Sequence, residues 1–354
     1  MKKTRSIYPL LTLSAFFWGA TFNLAKYSVH YLSAPASAAL RFTLAALLIA
    51  AILIPQSAKA KAVLKENWAA FTVLAVLGVF GFNTFFFLGM RYTSPTNGSL
   101  IQATNPLVTA MIAGVFFKEK ISGNHKVGTS ISFFGVAALI LTGSVQRLEA
   151  PNIGDIFCLV ANICFAFYAV LQKRHVKNST PLITTGMTTI IGFVPLWIVA
   201  VAVTPRPTPS VLSGLPWQVY GALAFMGALG SVLAYVFWNR GIARIGVADT
   251  AVFFHLVPVF TVLVSFVMGQ EVTWLQVLAG VVVMAGVVIS SGTHRRIIAA
   301  LRPAAVETVP APVADAPDTT TAKTQTEDPT KLEQSGSESA PKKKAAPRKK
   351  KADS

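Results

Sequence analysis

Charge is scarce in this chain. Only 13% of its residues are Asp, Glu, Lys or Arg, about half the share of an ordinary soluble domain. Cysteine is nearly absent: Cys158 and Cys164 are the only two, six positions apart in one apolar stretch. On a helix they point to different faces. They make neither a disulfide framework nor a metal set, and read as small apolar fillers. Also missing are a phosphate-cradling glycine loop, a cluster of metal-ligating side chains, and a nucleophile set beside a general base. These absences exclude ATP-driven transport within this chain. They lead us to expect no catalysis, no cofactor and no metal.

What fills the chain instead is apolar. Of 354 residues, 53% are hydrophobic, and the mean hydropathy is +0.57. A water-soluble fold of this size has too little interior to hide so much apolar surface. A soluble enzyme, a secreted disulfide scaffold and a disordered chain are therefore unlikely classes, and the composition indicates a polytopic, all-α membrane protein. A membrane helix needs about 20 mostly apolar residues. Ten stretches qualify, spans 1 to 10, near 7–27, 36–55, 68–90, 96–117, 125–143, 153–173, 181–203, 217–239, 247–268 and 274–292. The first run follows Lys2, Lys3 and Arg5 as a secretory signal would. It is too long, and Trp18, Phe22 and Asn23 stand where a cleavage site needs small residues, so we expect span 1 to be retained.

The net charge of +17 is unevenly spread. Up to Arg302 there are 22 Lys and Arg against 6 Asp and Glu; from Pro303 onward there are 9 against 8. The excess lies between apolar spans, which is the signature of membrane orientation rather than of a nucleic-acid surface. With the N-terminus in the cytoplasm, 17 basic residues fall on the cytoplasmic side, and only Lys26, Arg91, Arg147 and Arg206 fall on the other. Both termini are expected to be cytoplasmic, in a plasma membrane or bacterial inner membrane. Residues 303–354, rich in Pro, Ala, Thr, Ser, Glu and Lys, read as a disordered cytoplasmic tail. Its basic end, Lys342, Lys343, Lys344 and 348–351, fits contact with anionic lipid, or a solvated tail with no specific partner.

The two halves of the apolar region resemble each other. At an offset of 152, Gly89 meets Gly241, Asn97 meets Asp249, Pro106 meets Pro258, Glu119 meets Glu271 and Gly128 meets Gly280. Phe86 meets Trp238. At an offset of 147, Trp18 meets Phe165 and Lys26 meets Lys173. Residues 1–145 and 150–293 thus read as two copies of one five-helix unit. Five is odd, so the second copy enters from the opposite side, and the copies are inverted. Inverted repeats characterise secondary transporters, with the substrate near the midplane between copies. Lys118 and Lys120 follow span 4, while Gln270 and Glu271 follow span 9, as inversion requires.

Ten helices in two copies, Phe17-Trp18-Gly19 in span 1, Arg41-Phe42 early in span 2, a proline within spans 4 and 9, and a glutamate ending each of those spans resemble the drug/metabolite transporter superfamily, EamA type. The resemblance covers residues 7–292. It implies an inner-membrane secondary transporter of small metabolites working by alternating access, an exporter of amino acids or related compounds. Phe165 departs from the pattern where span 6 would repeat the tryptophan. Other readings are a carrier of a nucleotide-linked or lipid-linked sugar and, from another class, a membrane-embedded transferase or a channel.

Several residues are candidates for the substrate site. Gly98, Gln102, Asn105 and Thr109 form a polar stripe at helical spacing on span 4, facing either a cavity or a neighbouring helix that they glue in place. Gln102 and Asn105 are expected to contact substrate. Span 8 offers Tyr235, Trp238 and Asn239, and span 3 offers Asn83, Phe86 and Phe87 at the image positions. Trp18, Tyr235 and Trp238 carry N–H or O–H groups that need partners when buried. Arg41, near the outer end of span 2, suits a carboxylate or phosphate, or snorkels to the headgroups. His255 is a proton-responsive group or a neutral hydrogen-bonding one. Pro106 and Pro258 act as hinges, or as fixed kinks. No Asp or Glu sits mid-span; Asp155 and Asp249 fall at helix starts. Glu119 with Ser122, and Glu271 with Thr273, read as turn and cap chemistry.

Overall fold

The computed structural model describes residues 7–118, 153–203 and 212–269, with single helical positions between 127 and 134 and between 274 and 289. Most of spans 5 and 10, the turns at Glu119 and Glu271, Arg147, Arg206 and the tail from 303 lie outside the described residues.

Every regular element among the described residues is helical. In chain order they are α1 (Tyr8–Tyr31), α2 (Ala34–Leu53), α3 (Ser57–Leu74), α4 (Phe82–Tyr92), α5 (Pro95–Ala103), α6 (Asn105–Phe117), α7 (Ile153–His175), α8 (Pro181–Val203), α9 (Trp217–Phe225), α10 (Ala234–Ile245), α11 (Val247–Ala251) and α12 (Leu256–Val267). Local chemistry sets several ends. The Ser33 hydroxyl accepts the Ala36 amide at 3.3 Å, and Ser94 accepts the Asn97 amide at 3.1 Å. Each serine precedes a proline in the first turn, where a missing N–H costs nothing. Asp155 and Asp249 lie in the first turns of α7 and α11, as their position in the sequence suggests.

Among the described residues, six helical stretches are long and apolar enough to cross a membrane: Ala34–Tyr92, Pro95–Phe116, Ile153–His175, Pro181–Val203, Trp217–Ile245 and Val247–Val267. The first is 59 residues long and turns back on itself, since α2 packs against α4. Its bend lies at the 3-10 turn Ile54–Gln56. Helix α3 therefore starts eleven residues ahead of the expected start of span 3. The reason is amphipathicity. Ala60, Val63, Asn67, Phe71 and Leu74 form one buried face, while Lys59, Lys61 and Lys65 stay exposed. A helix needs only one apolar face, whereas a hydropathy window averages in the lysines.

Among the described residues, four spans are interrupted along their length. Span 3 passes from α3 to α4 through a π-helical segment, Ala75–Gly81, and span 8 passes from α9 to α10 through another, Met226–Leu233. Shifted by 152 residues, the first segment falls on the second. Span 9 contains a 3-10 turn, Val252–His255, just before α12. Span 4 is broken as well, at Thr104, so Pro106 lies in the first turn of α6 rather than in mid-helix. Pro258 lies in the first turn of α12.

Helix α1 is buried on nearly all sides and packs against α10 and α12, whereas α7 packs against α4 and α6. The first helix of each half is thus seated on the third and fourth spans of the other half. Close contacts recur at related positions. A methyl group on Gly89 would come within 2.5 Å of Cys158 Sγ, and one on Gly241 within 2.7 Å of Leu11 Cδ2. Gly89 and Gly241 are 152 apart; Leu11 and Cys158 are 147 apart.

Candidate functional site

Six large rings meet in the middle of the bundle: Trp18 from α1, Phe165 and Tyr168 from α7, Tyr235 and Trp238 from α10, and Phe254 from the 3-10 turn. Trp18 stacks on Phe254 with centroids 5.2 Å apart and planes at 9°. Trp238 lies 4.5 Å from Phe254 and 5.0 Å from Trp18. Edge contacts of 5.6 and 5.7 Å join Trp18 to Phe165 and Tyr235. Each such pair contributes about 0.5–1.5 kcal/mol beyond the area it buries, so the cluster holds four separate spans together.

The polar ends of these rings reach into the π-helical segments. Trp18 Nε1 donates to the Gly230 carbonyl at 2.9 Å. The Tyr235 hydroxyl donates to the Gly78 carbonyl at 3.0 Å. Each carbonyl belongs to the half of the chain opposite its donor. A π-helical segment departs from the regular i→i+4 ladder, and such departures recur at functional sites. Tyr168 lies against Gly78, and Thr21 against Gly230: a methyl group on either glycine would come within 3 Å of these side chains. Trp238 Nε1 is buried with no acceptor among the described residues.

Arg41 is not at the headgroups. It lies in the second turn of α2, its side chain is 1% exposed, and it points into the bundle. Nε donates to Ser231 Oγ at 2.8 Å and to the Met226 carbonyl at 3.3 Å; Nη1 donates to Asn83 Oδ1 at 3.3 Å. Asn83 in turn donates to the Val79 carbonyl at 2.8 Å. Phe42 and Phe87 flank the guanidinium, with centroids 5.5 and 5.9 Å away. The snorkelling alternative fails because α2 packs on α8 and on the second π-helical segment, and the inward face of α2 carries the arginine.

The stripe on span 4 divides into two environments. Gly98, Gln102, Asn105 and Thr109 are all buried, yet the break at Thr104 separates the first pair from the second. Asn105 Nδ2 donates to Asn162 Oδ1 at 2.6 Å, and Asn105 Oδ1 accepts from the Thr109 hydroxyl at 3.0 Å. Asn162 Nδ2 completes the network, donating to the Ile101 carbonyl and to Thr104 Oγ1, each at 2.9 Å. Gln102 is different: it is 4% exposed, and its Nε2 has no acceptor among the described residues. Asn239 is engaged, donating to Thr185 Oγ1 at 2.9 Å and to the Tyr168 hydroxyl at 3.0 Å. His255 is buried at the end of the turn that carries Phe254.

Trp18, Tyr235 and Trp238 therefore come together, and Arg41 and Asn83 pair beside them. Asn105 belongs to a separate network. Sequence reasoning passed over Asn162, Tyr168, Ser231 and Phe254 as site residues. Asn162 carried the signal used for Asn105, an amide in the middle of an apolar span. Tyr168 is one turn from Phe165, the image of Trp18, and Ser231 follows Gly230. Phe254 gave no signal of its own among 24 phenylalanines.

Cavities open at both ends of the bundle. One of about 710 Å³ is lined by Lys26, His30 and Arg91 together with Asn23, Tyr27 and Tyr92. Another of about 680 Å³ is lined by Glu66, Asn67, Trp68, Arg174, His175 and Lys177. Gly89 touches the start of α7, and Arg174 lies 20 residues further along that helix than Gly154, about 30 Å away. The two cavities are thus at opposite ends. A smaller one of about 170 Å³ runs in from Lys173 and Gln172 to Asn239, beside Tyr168. No group of three or more His, Cys, Asp or Glu among the described residues is placed to hold a metal.

The family model of the EamA-like transporter family matches this chain twice, over residues 5–141 and 152–292. The chain is 43% identical over 295 residues to the uncharacterized transporter YyaM of Bacillus subtilis (strain 168), covering 83% of this chain and 96% of that one. It is 26% identical to an uncharacterized transporter of Archaeoglobus fulgidus, over 77% of this chain and 93% of the other. One solved crystal structure superposes with a TM-score of 0.65 over 81% of this chain and 97% of that one. At 18% identity this is a likeness of fold.

Proposed function

Since this chain belongs to the EamA-like transporter family and is a multi-pass membrane transporter, we propose that it is a secondary carrier exporting amino acids or related small metabolites by alternating access. In this reading the moving parts are two inverted five-helix copies, residues 1–145 and 150–293, with ten spans in all. The membrane is the plasma membrane or bacterial inner membrane, and both termini are cytoplasmic. The observation that carries the reading is the crossed pair of hydrogen bonds in the middle of the bundle, Trp18 to Gly230 and Tyr235 to Gly78. Each half supplies the donor for the other half's interrupted helix, so parting one pair while keeping the other opens one end of the bundle. Interrupted helices meeting at a midplane site are what such carriers use. The double match of the family model and the related contacts of Gly89 and Gly241 also support two copies.

The substrate site comprises Trp18, Arg41, Asn83, Gln102, Tyr235, Trp238 and Asn239, with His255 at its edge and the breaks before Pro106 and Pro258 as hinges. Asn105 closes the break in span 4 against α7 and acts from behind the site. Gln102 Nε2 and Trp238 Nε1, buried and without acceptors among the described residues, are the groups left for a ligand to satisfy.

The test is flux. The full chain is reconstituted in liposomes loaded with labelled amino acids, organic acids and amines, each assayed separately. Saturable efflux of a subset, slowed by Trp18→Ala, is the expected result. Efflux equal to that from protein-free liposomes across the panel, with the chain folded, overturns the proposal. Rapid unsaturable loss of every solute means a channel.

A further inference from the structure

We propose that Arg41 is the recognition group for a carboxylate on the transported molecule, and that Ser231, Asn83 and the Met226 carbonyl are neutral stand-ins which the carboxylate displaces. This rests on the transporter reading above and specifies the chemistry of its site.

Arg41 is 1% exposed and stays protonated in any protein setting. Its hydrogen-bond acceptors are a hydroxyl, an amide oxygen and a backbone carbonyl. These solvate the cation without neutralising it, and a buried charge that is not neutralised is costly. An arginine kept only to join helices would do better as an apolar side chain of similar volume. Its planar fork matches a carboxylate through two parallel bonds. Nη2 lies beside Gly230, 3.4 Å from where a Cβ would stand, with Thr21 Oγ1 2.9 Å from that same position.

A second observation is independent of the first. Basic side chains line both end cavities. Arg174, His175 and Lys177 line one, and orientation alone explains basic residues on a cytoplasmic side. It does not explain the other cavity, where Lys26, His30 and Arg91 gather on the side that holds so few basic residues. Among the described residues, no acidic one lines that cavity. Basic mouths at both ends of a bundle that holds a buried guanidinium concentrate anions at its entrances.

The stand-ins tie binding to movement. Ser231 and Met226 belong to the π-helical segment of one half, and Arg41 and Asn83 to the other half. A carboxylate that takes over the guanidinium releases Ser231 and Met226, and with them one of the ties between halves. The ligand thereby favours the state in which that tie is absent, the differential interaction that any ligand-driven shift requires.

The experiment uses the purified full chain in detergent, with ligand binding read by tryptophan fluorescence and by the shift in melting temperature. The probes are acetate, butyrate, hexanoate and octanoate, each against its own amide and the amine of the same length. At least one carboxylate is expected to bind about tenfold or more tightly than its amide. Arg41→Met should abolish that preference, and Arg41→Lys should keep part of it. Ser231→Ala, which removes a stand-in, should tighten carboxylate binding. A wild-type chain without carboxylate preference overturns the proposal, as does a preference that survives in folded Arg41→Met. If Arg41→Met does not fold, a Ser231→Ala variant with unchanged or weaker carboxylate binding overturns it. The liposome assay stands apart from these outcomes: saturable efflux of amines or uncharged solutes would keep the transporter reading while the carboxylate reading falls.

Discussion

Replacing Asn105 by leucine separates two roles that the polar stripe on span 4 combines. The substitution removes the 2.6 Å bond to Asn162 and strands Asn162 Oδ1 in a buried site. It also removes the acceptor of the Thr109 hydroxyl. That hydroxyl can turn to a carbonyl of its own helix, so its loss adds little. A single interhelical hydrogen bond in a bilayer is worth about 0.6 kcal/mol on average; a buried oxygen left without a donor costs about 1–3 kcal/mol. The expected loss is therefore about 1–3 kcal/mol of stability. Removing both amides, as Asn105→Leu with Asn162→Leu, strands neither amide oxygen. The Ile101 carbonyl still accepts the Thr104 amide and hydroxyl at 3.1 and 2.7 Å. The double variant should be no less stable than Asn105→Leu alone. The assay is the fraction of monodisperse protein surviving a heating series in detergent, paired with flux per folded molecule in liposomes. Asn105→Leu should lower the first and leave the second near wild type. Gln102→Leu should do the reverse, since Gln102 Nε2 has no acceptor to lose among the described residues. Wild-type stability with abolished flux in Asn105→Leu would refute the clamp and return Asn105 to the substrate.

Three further expectations can be checked directly. Gly89→Ala sets a methyl group 2.5 Å from Cys158 Sγ and should cost about 1–3 kcal/mol in thermal stability; adding Cys158→Ala should restore part of it, though not all, because the Gly154 carbonyl remains 3.1 Å away. From the 17-to-4 division of basic residues, a fluorescent protein fused to the C-terminus should glow and alkaline phosphatase there should be inactive; the opposite pair of results contradicts the cytoplasmic C-terminus. A chain ending at Arg302 should insert and transport as the full chain does, because the residues removed are polar and nearly free of large apolar side chains; lost flux at unchanged expression would give the tail a role.

The sequence by itself determined which segments avoid water and where several of them begin. Runs of apolar residues, Ser33 and Ser94 ahead of prolines, and Asp155 and Asp249 in first turns are local features, and local chemistry produces them. It also identified which polar side chains have no business facing lipid, among them Trp18, Asn83, Gln102, Asn105, Tyr235 and Asn239, all of them buried. Tertiary structure decided what each of these turns toward. Asn105 and Gln102 share a spacing, yet one meets Asn162 on α7 and the other meets no acceptor among the described residues. The side chain of Arg41 has the length to reach headgroups or interior, and only the packing of α2 on α8 and the second π-helical segment turns it inward. Ser231, Tyr168 and Phe254 became part of the site only because distant spans converge on them. Periodicity reports a side chain's own solvent preference along one dimension. The partner that satisfies a buried polar group comes from another span, 212 residues away for Trp18 and Gly230, and that pairing exists only once the helices have packed.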